Sequence, residues 1–573
     1  MIDQILAGGM LILLIGSLVF TNWPPVKIFG CTLLACYFFG LVETDEILEK
    51  TSNPGVMTLL ILLLVSMGLE KLNWIRDISG KLISKSYVLS LVKMCGLTAV
   101  ASAFVNNTAV VATLAQSVRN NKYHLPSKLL IPLSYAAILG GTTTLIGTST
   151  NLIVASFLED ATGQSLAFFD FLIVGVSVTL VSFVAMLIFS RLLPSHPVDP
   201  MDMESYFIET EVQPESPMIG RSVSENKLRE LESLFLVEIV RGNHLISPID
   251  PQERLESGDR LIFSGDINQL DELRSFEGLT SYAVDERLLR QNLTEVIVMP
   301  NATIEGKTIK DSGFRARFDA AVVGLHRGGK RLSGKLGEIT LQAGDNLMLA
   351  TGPDFESRQN LNKNFTTVSD GVRARISTIE NYFLTGSVTL VIVLASLGIL
   401  PLLKGLLFVL AGVLLLGTVR GSELRRRFPF ELMIIVISAL VFAQALQNTG
   451  LAGIISDSLY QQLSLLGPTA AIAGVFLATL LMTEVMTNNA AAALGFPIAF
   501  GLAESFGLNY MPFVMAVAYG ASASFLSPYG YTTNLMVQNL GNYSFSDYVR
   551  IGLPVSLVYS SVAIFLIPRV FPF

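Results

Sequence analysis

Ten apolar stretches in this chain are long enough to cross about 30 Å of hydrocarbon, and they fix the medium in which it folds. Five lie near residues 4–20, 26–42, 54–70, 128–158 and 169–190; five lie near 380–399, 402–419, 429–447, 511–540 and 551–571. Hydrocarbon offers backbone polar groups no water, so such stretches fold as helices. Two further apolar regions, 87–118 and 466–503, carry polar residues at their centres and read as re-entrant helical hairpins. No basic segment precedes the first run, so a retained span is expected there rather than a cleaved signal.

Charge separates a second material from the first. The 573 residues are 51% hydrophobic and 15% charged, against about 25% charged in a soluble protein. Residues 200–375 hold 21 of the 39 Lys/Arg and 28 of the 46 Asp/Glu, so the net charge of −7 resides there. A soluble insert therefore interrupts a polytopic α-helical membrane protein. The insert reads as a duplication. Gly220-Arg221, Val240-Arg241-Gly242 and Gly258-Asp259-Arg260-Leu261 recur as Gly306-Lys307, His326-Arg327-Gly328 and Gly344-Asp345-Asn346-Leu347. Alternating runs at 234–240 and 346–350 read as strands of two α+β modules. The expected layout is a first membrane repeat over 1–193, a proline-bearing linker over 194–217, modules over 218–287 and 288–370, and a second membrane repeat over 371–573.

Loop charges give a topology. Lys71, Arg76, Lys81 and Lys85 share one loop, Arg119, Lys122 and Lys128 another, and Arg420 and Arg425–Arg427 a third. The acidic loops at 43–49 and Glu159-Asp160 fall on the other side. Lys/Arg-rich loops are cytoplasmic. The expectation is five spans per half, both termini outside, a cytoplasmic insert and an inverted second half.

The halves also share motifs. Val105-Asn106-Asn107-Thr108-Ala109 is followed by Gly147-Thr148-Ser149-Thr150-Asn151-Leu152; Met486-Thr487-Asn488-Asn489-Ala490 is followed by Gly530-Tyr531-Thr532-Thr533-Asn534-Leu535. The step is 44 residues from Asn107 to Asn151 and 46 from Asn488 to Asn534. A lone Asn in an apolar hairpin reads as a cap or as interhelical glue. Two pairs in one order read instead as inverted repeats, each with a hairpin and a broken helix, around a transport site near the midplane. Free carbonyls and hydroxyls there suit Na⁺; helix N-termini, amides and hydroxyls suit an oxyanion. No Lys or Arg lies in the motifs, so the expected site is neutral and cations accompany the anion. Glu484, inside an apolar arm, is a possible coupling carboxylate, or an anchor for neighbouring backbone or for Lys93. Cys31, Cys36 and Cys95 have no metal-binding spacing, and no P-loop or nucleophile–base pair is present. Neither enzyme activity nor nucleic-acid binding is expected.

Asn106-Asn107-Thr108 with Gly140-Gly141-Thr142-Thr143-Thr144-Leu145-Ile146-Gly147-Thr148 resembles the divalent anion/sodium symporter family, with Thr487-Asn488-Asn489 at the family's second motif. The insert resembles tandem TrkA-C domains, and the combination is similar to the sulfate-transporter branch. The resemblance implies a homodimeric, Na⁺-coupled elevator in the plasma membrane. By motif matching, sodium falls on Ser102, Asn106, Asn107 and Gly147 in one half, and on Thr483, Met486, Asn488 and Gly530 in the other. Substrate falls on Asn107, Thr108, Thr148, Thr487, Asn488, Asn489 and Tyr531. Asn106 and Asn489 depart from the family's Ser and Thr, and Thr-Pro-Pro is replaced by Thr148-Ser149-Thr150 and Tyr531-Thr532-Thr533. A bulky Tyr531 wall favours a compact tetrahedral dianion, sulfate first, with dicarboxylate or phosphate as alternatives. An anion channel gated by the insert is the rival mechanism, and a sensor is another. The insert is expected to regulate, through a small ligand, a partner or the dimer.

Overall fold

A computed structural model of the chain describes residues 2–72, 82–196, 207–265, 276, 278–282, 293–367 and 377–573. Within those ranges positions 22, 120, 229–230, 232–233, 243, 247–248, 300–301, 328–329, 333–335, 353–354, 356–357, 359–360 and 427 are left out. Arg76, Lys81, Arg427 and Gly328 of the sequence reading thus lie outside the described residues. Two compact units emerge: residues 1–195, 374–537 and 544–573 form one, and residues 196–373 with 538–543 form the other.

The first unit is helical. Its first half contains α1 (Ile2–Phe20), α2 (Pro25–Phe38), α3 (Thr44–Thr51), α4 (Pro54–Leu69), α5 (Tyr87–Ser102), α6 (Asn107–Arg119), α7 (Leu130–Gly141), α8 (Ser149–Thr162) and α9 (Leu172–Ile188). Its second half contains α10 (Thr378–Ser396), α11 (Leu402–Leu415), α12 (Gly421–Arg426), α13 (Phe430–Asn448), α14 (Leu451–Leu463), α15 (Pro468–Val485), α16 (Asn488–Phe506), α17 (Met511–Ala521), α18 (Thr532–Gly541) and α19 (Phe545–Val570). Seven helical segments among the described residues are long and apolar enough to cross a membrane. Local chemistry sets the ends. Asn53 caps α4 by accepting from the amides of Gly55 and Val56, ahead of Pro54 at the first position. Gly163 and Gly507 close α8 and α16 in the left-handed region that glycine tolerates.

Two features differ from the sequence reading. Residues 449–466, between the span at 429–447 and the second hairpin, contain α14. Its polar positions Ser456, Asp457, Ser458, Gln461 and Gln462 keep it below the hydropathy of a span. The hairpin arm α15 is 18 residues long and counts among the seven segments of spanning length. The broken helix expected in each half is present: 128–158 holds α7 and α8 around a break at 142–148, and 511–540 holds α17 and α18 around a break at 522–531.

Among the described residues the second unit holds two five-stranded antiparallel sheets. The first is built from β1 (Phe207–Val212), β2 (Leu234–Arg241), β3 (His244–Ile246), β4 (Arg260–Gly265) and β5 (Leu279–Tyr282), in the order β3-β2-β4-β1-β5. The second contains β6 (Leu293–Val298), β7 (Ala320–Arg327), β8 (Lys330–Arg331), β9 (Asn346–Thr351) and β10 (Phe365–Thr367), in the order β8-β7-β9-β6-β10. Strand for strand the order is the same. The register slips at matching points, between Leu236 and Glu238 and between Val322 and Gly324. Arg241 grips Asp259 through Nε at 2.8 Å and Nη2 at 2.9 Å; Arg327 grips Asp345 through Nε and Nη2, each at 2.7 Å. These bonds hold both guanidinium groups above their ordinary pKa. The strand β1 falls inside 194–217, the stretch expected as linker; the prolines on both sides of Phe207–Val212 obscured its alternation. Val237, Val240 and Ile262 of the first sheet pack against Val323 and Ala350 of the second.

Candidate functional site

The first hairpin joins α5 to α6 through residues 103–106. The buried Ser102 hydroxyl donates to the Oδ1 of buried Asn107 at the first position of α6. The α7–α8 break lies against this tip. A Cβ on Gly141 would sit 2.9 Å from both Oδ1 and Nδ2 of Asn107, and one on Gly147 would sit 2.8 Å from Gly141 Cα. Only glycine permits both approaches. The Thr144 hydroxyl donates to the Ala103 carbonyl and accepts the Gly147 amide at 3.1 Å. Asn151 Nδ2 donates to the Thr144 carbonyl at 2.8 Å. An unwound segment in hydrocarbon needs such partners, because each unsatisfied backbone group costs several kcal/mol.

The second half repeats the arrangement. Thr483 donates to Asn488 Oδ1 at 2.8 Å, over the same five-residue step as Ser102 to Asn107. Ser527 stands for Thr144: its hydroxyl donates to the Glu484 carbonyl at 3.4 Å and accepts the Gly530 amide at 3.3 Å. Asn534 Nδ2 donates to the Ser527 carbonyl at 3.2 Å and to the Ser524 carbonyl at 3.0 Å. Glu484 replaces Ala103. Its Oε1 accepts the amides of Phe525 and Leu526 at 2.9 Å each, while Oε2 is buried without a hydrogen-bond partner. The carboxylate thus anchors neighbouring backbone, and Lys93 is exposed.

Side chains also tie the halves together. The Tyr531 hydroxyl accepts from Asn107 Nδ2 at 3.1 Å and lies 2.9 Å from Thr148 Oγ1. Ser149 donates to Asn489 Oδ1 at 2.9 Å. Asn107, Ser149, Asn488 and Thr532 each begin a helix, so these bonds link the starts of α6, α8, α16 and α18. Helix starts carry unpaired amides and a partial positive charge. The centre therefore offers amides, hydroxyls and dipoles without a basic side chain from the motifs.

Not every motif residue joins this network. The Asn106 side chain is exposed and accepts the Thr108 amide at 2.9 Å. Thr487 is exposed and caps α16 through the Ala490 amide at 3.4 Å. Thr108 is half-buried, and Met486 is buried in extended backbone at the end of α15. Conversely, Thr144, Ser149, Ser527 and Ser134 were not singled out from sequence. The Ser134 hydroxyl donates to Asn534 Oδ1 at 2.7 Å and lies 2.9 Å from Thr533 Oγ1. Thr144 and Ser149 lie within the quoted motifs, whereas Ser134 is one hydroxyl in an apolar run and carries no signal.

A helical unit with spanning segments and a buried polar centre between two broken helices defines an integral membrane protein. The chain belongs to the citrate transporter family CitMHS, of the divalent anion/Na⁺ symporter superfamily; the family model matches residues 9–518. A Chlamydomonas reinhardtii protein carrying the name sulfur deprivation response regulator is 31% identical over 92% of this chain and 94% of its own length. The uncharacterized transporter sll0640 of Synechocystis is 29% identical over 94% of this chain and 92% of its own. Sodium/sulfate cotransporter 2 of Chlamydomonas reinhardtii is 27% identical over 64% of this chain and 43% of its own. Its family and relatives are transporters, not enzymes.

Proposed function

We propose that the chain is a Na⁺-coupled symporter of a divalent tetrahedral oxyanion, with sulfate the first candidate. The observation carrying this reading is the Tyr531 hydroxyl, held by Asn107 and Thr148 where four helix starts are linked. A dianion there would be bound by amides, hydroxyls and dipoles, and its charge would be balanced by cations. Ser102, Asn107 and Gly147 hold one Na⁺; Thr483, Asn488, Gly530 and the Met486 carbonyl hold the other. Asn107, Thr108, Thr148, Thr487, Asn488, Asn489 and Tyr531 line the anion site. Relatives named sodium/sulfate cotransporters support both cargo and coupling.

The two halves are inverted repeats in this reading, in a homodimer whose hairpins and broken helices move as an elevator. It resides in the plasma membrane, with the insert in the cytoplasm as a TrkA-C-like regulatory pair. The matched offsets support the repeat: 381 residues separate Ser102 from Thr483 and Asn107 from Asn488. Glu484 positions the second break. A second reading, an anion sensor, is supported by the relative named for the sulfur deprivation response.

Radiolabelled sulfate uptake into proteoliposomes, with and without an inward Na⁺ gradient, tests the reading. Na⁺-driven accumulation that excess succinate fails to compete is expected, and Asn107→Ala or Asn488→Ala abolishes it. Uptake indifferent to Na⁺ would refute the coupling. Sulfate binding without any uptake would favour the sensor.

A further inference from the structure

Ser524 carries a feature the assigned site does not use. The residue is fully buried, and its hydroxyl has no hydrogen-bond partner among the described residues. A buried hydroxyl left unpaired is destabilising, and alanine would avoid that cost. The surroundings explain the vacancy. A Cβ on Gly530 would run into Ser524 Oγ and would lie 2.8 Å from the Thr483 carbonyl oxygen, so both oxygens flank one point of the break. Thr483 Oγ1 has a single proton but faces two acceptors at 2.8 Å, Asn488 Oδ1 and the Ala521 carbonyl. Oxygens here outnumber the protons available to them. A hard cation resolves such an excess, because it takes oxygen lone pairs and needs no proton from them. Ser524 is also held in place, since Asn534 Nδ2 donates to its carbonyl at 3.0 Å.

The first half lacks this oxygen. Gly147 and Gly530 are 383 residues apart, as are Asn151 and Asn534; the same offset pairs Ser524 with Gly141. Gly141 has no side chain, and a Cβ there would press on the Asn107 amide.

We propose that Ser524 Oγ is an additional ligand of the second cation site, which makes that site the tighter of the two. The proposal rests on the Na⁺-coupled reading above. The extra oxygen fills the second site at Na⁺ concentrations where the first is still empty. Cation binding is then ordered, with the α15–α16 hairpin and its break set before the first half completes the anion site.

The test uses the full-length protein, with Na⁺ titrated against choline. Readouts are thermal stability in detergent and sulfate uptake in proteoliposomes. Wild type should be stabilised by Na⁺. Ser524→Ala should raise the half-saturating Na⁺ about tenfold in the stability titration, equivalent to about 1.4 kcal/mol. Ser524→Thr, which keeps the hydroxyl, should stay near wild type. Ser524→Gly, matching Gly141, provides a second variant should alanine disturb the fold. Unchanged Na⁺ dependence in a folded Ser524→Ala or Ser524→Gly protein would overturn the proposal while leaving Na⁺ coupling intact. Wild type with no Na⁺ response in either readout would overturn the coupling itself, and the proposal with it.

Discussion

Replacing Tyr531 by Phe isolates the hydroxyl at the centre of the site, because the ring and its packing remain. Two effects oppose each other. The hydroxyl pairs with Asn107 Nδ2 at 3.1 Å and with Thr148 Oγ1 at 2.9 Å. Such neutral bonds contribute about 0.5–1.5 kcal/mol each, and their loss destabilises the empty state and favours binding. A hydrogen bond from the same hydroxyl to a bound dianion contributes about 1.5–3 kcal/mol, and its loss disfavours binding. Asn107 and Thr148 regain a partner when the anion arrives, so the charged bond dominates. A net loss near 1.4 kcal/mol is a factor of ten. Tyr531→Phe should therefore raise the half-saturating sulfate concentration about tenfold, with Na⁺ dependence unchanged. The assay is initial-rate uptake into proteoliposomes at saturating Na⁺. Sulfate affinity that stays constant or improves would show that the hydroxyl does not face the anion. Tyr531→Ser extends the argument: removing the ring opens the wall, and succinate should begin to compete with sulfate.

Three further outcomes follow from the geometry. Gly147→Ala places a methyl group against Gly141, within 2.8 Å of its Cα, and should abolish uptake while the protein still inserts in membranes, as read by transport and surface yield. Lys50 pairs with Asp160 at 2.9 Å, with side-chain exposures of 9% and 16%. Removing one partner of a buried pair costs about 3–5 kcal/mol, so Lys50→Met alone should lower the melting temperature and Lys50→Met with Asp160→Leu should recover most of it; equal melting for single and double variants would contradict this. Asp259→Asn and Asp345→Asn each weaken a two-point grip on an arginine, by about 1–3 kcal/mol, and should raise protease sensitivity within the insert; an unchanged digestion pattern would count against the pairing.

Legibility in the sequence followed chemistry rather than distance. Asn107, Thr148, Asn488 and Tyr531 stood out because polar side chains inside apolar runs have few bland explanations. The contacts among them did not, since Asn107 meets Tyr531 across 424 residues and Ser149 meets Asn489 across 340. A single sequence contains no signal for such pairs. Asn106 misled for a related reason. Its place beside Asn107 in the motif suggests a shared role, yet adjacent residues at a helix start face different directions, and Asn106 caps α6 from the exposed side. Hydropathy selects for spans and so passes over the polar α14, and the prolines flanking β1 outweigh its short alternation.

The two breaks also explain where the halves differ. The first runs over 142–148 and the second over 522–531, so the second leaves more backbone without helical partners. Each orphan group in an apolar surround must be met by a side chain or left at high cost. The first break manages with Thr144, Asn151 and the bond from the Leu145 amide to the Phe168 carbonyl. The second needs more: Glu484 takes two amides, Asn534 serves two carbonyls, and Tyr135 donates to the Phe525 carbonyl at 2.6 Å. Glu484 stands where the first half has Ala103, and its carboxylate serves the longer break by accepting two of its amides. The asymmetry at Glu484 is thus accounted for by backbone satisfaction. That at Ser524 is not, because its hydroxyl satisfies nothing within the protein. Glu484 reaches the break from the end of α15 and holds its amides through Oε1, whereas the Ser524 hydroxyl stands in the break itself and holds none of its backbone.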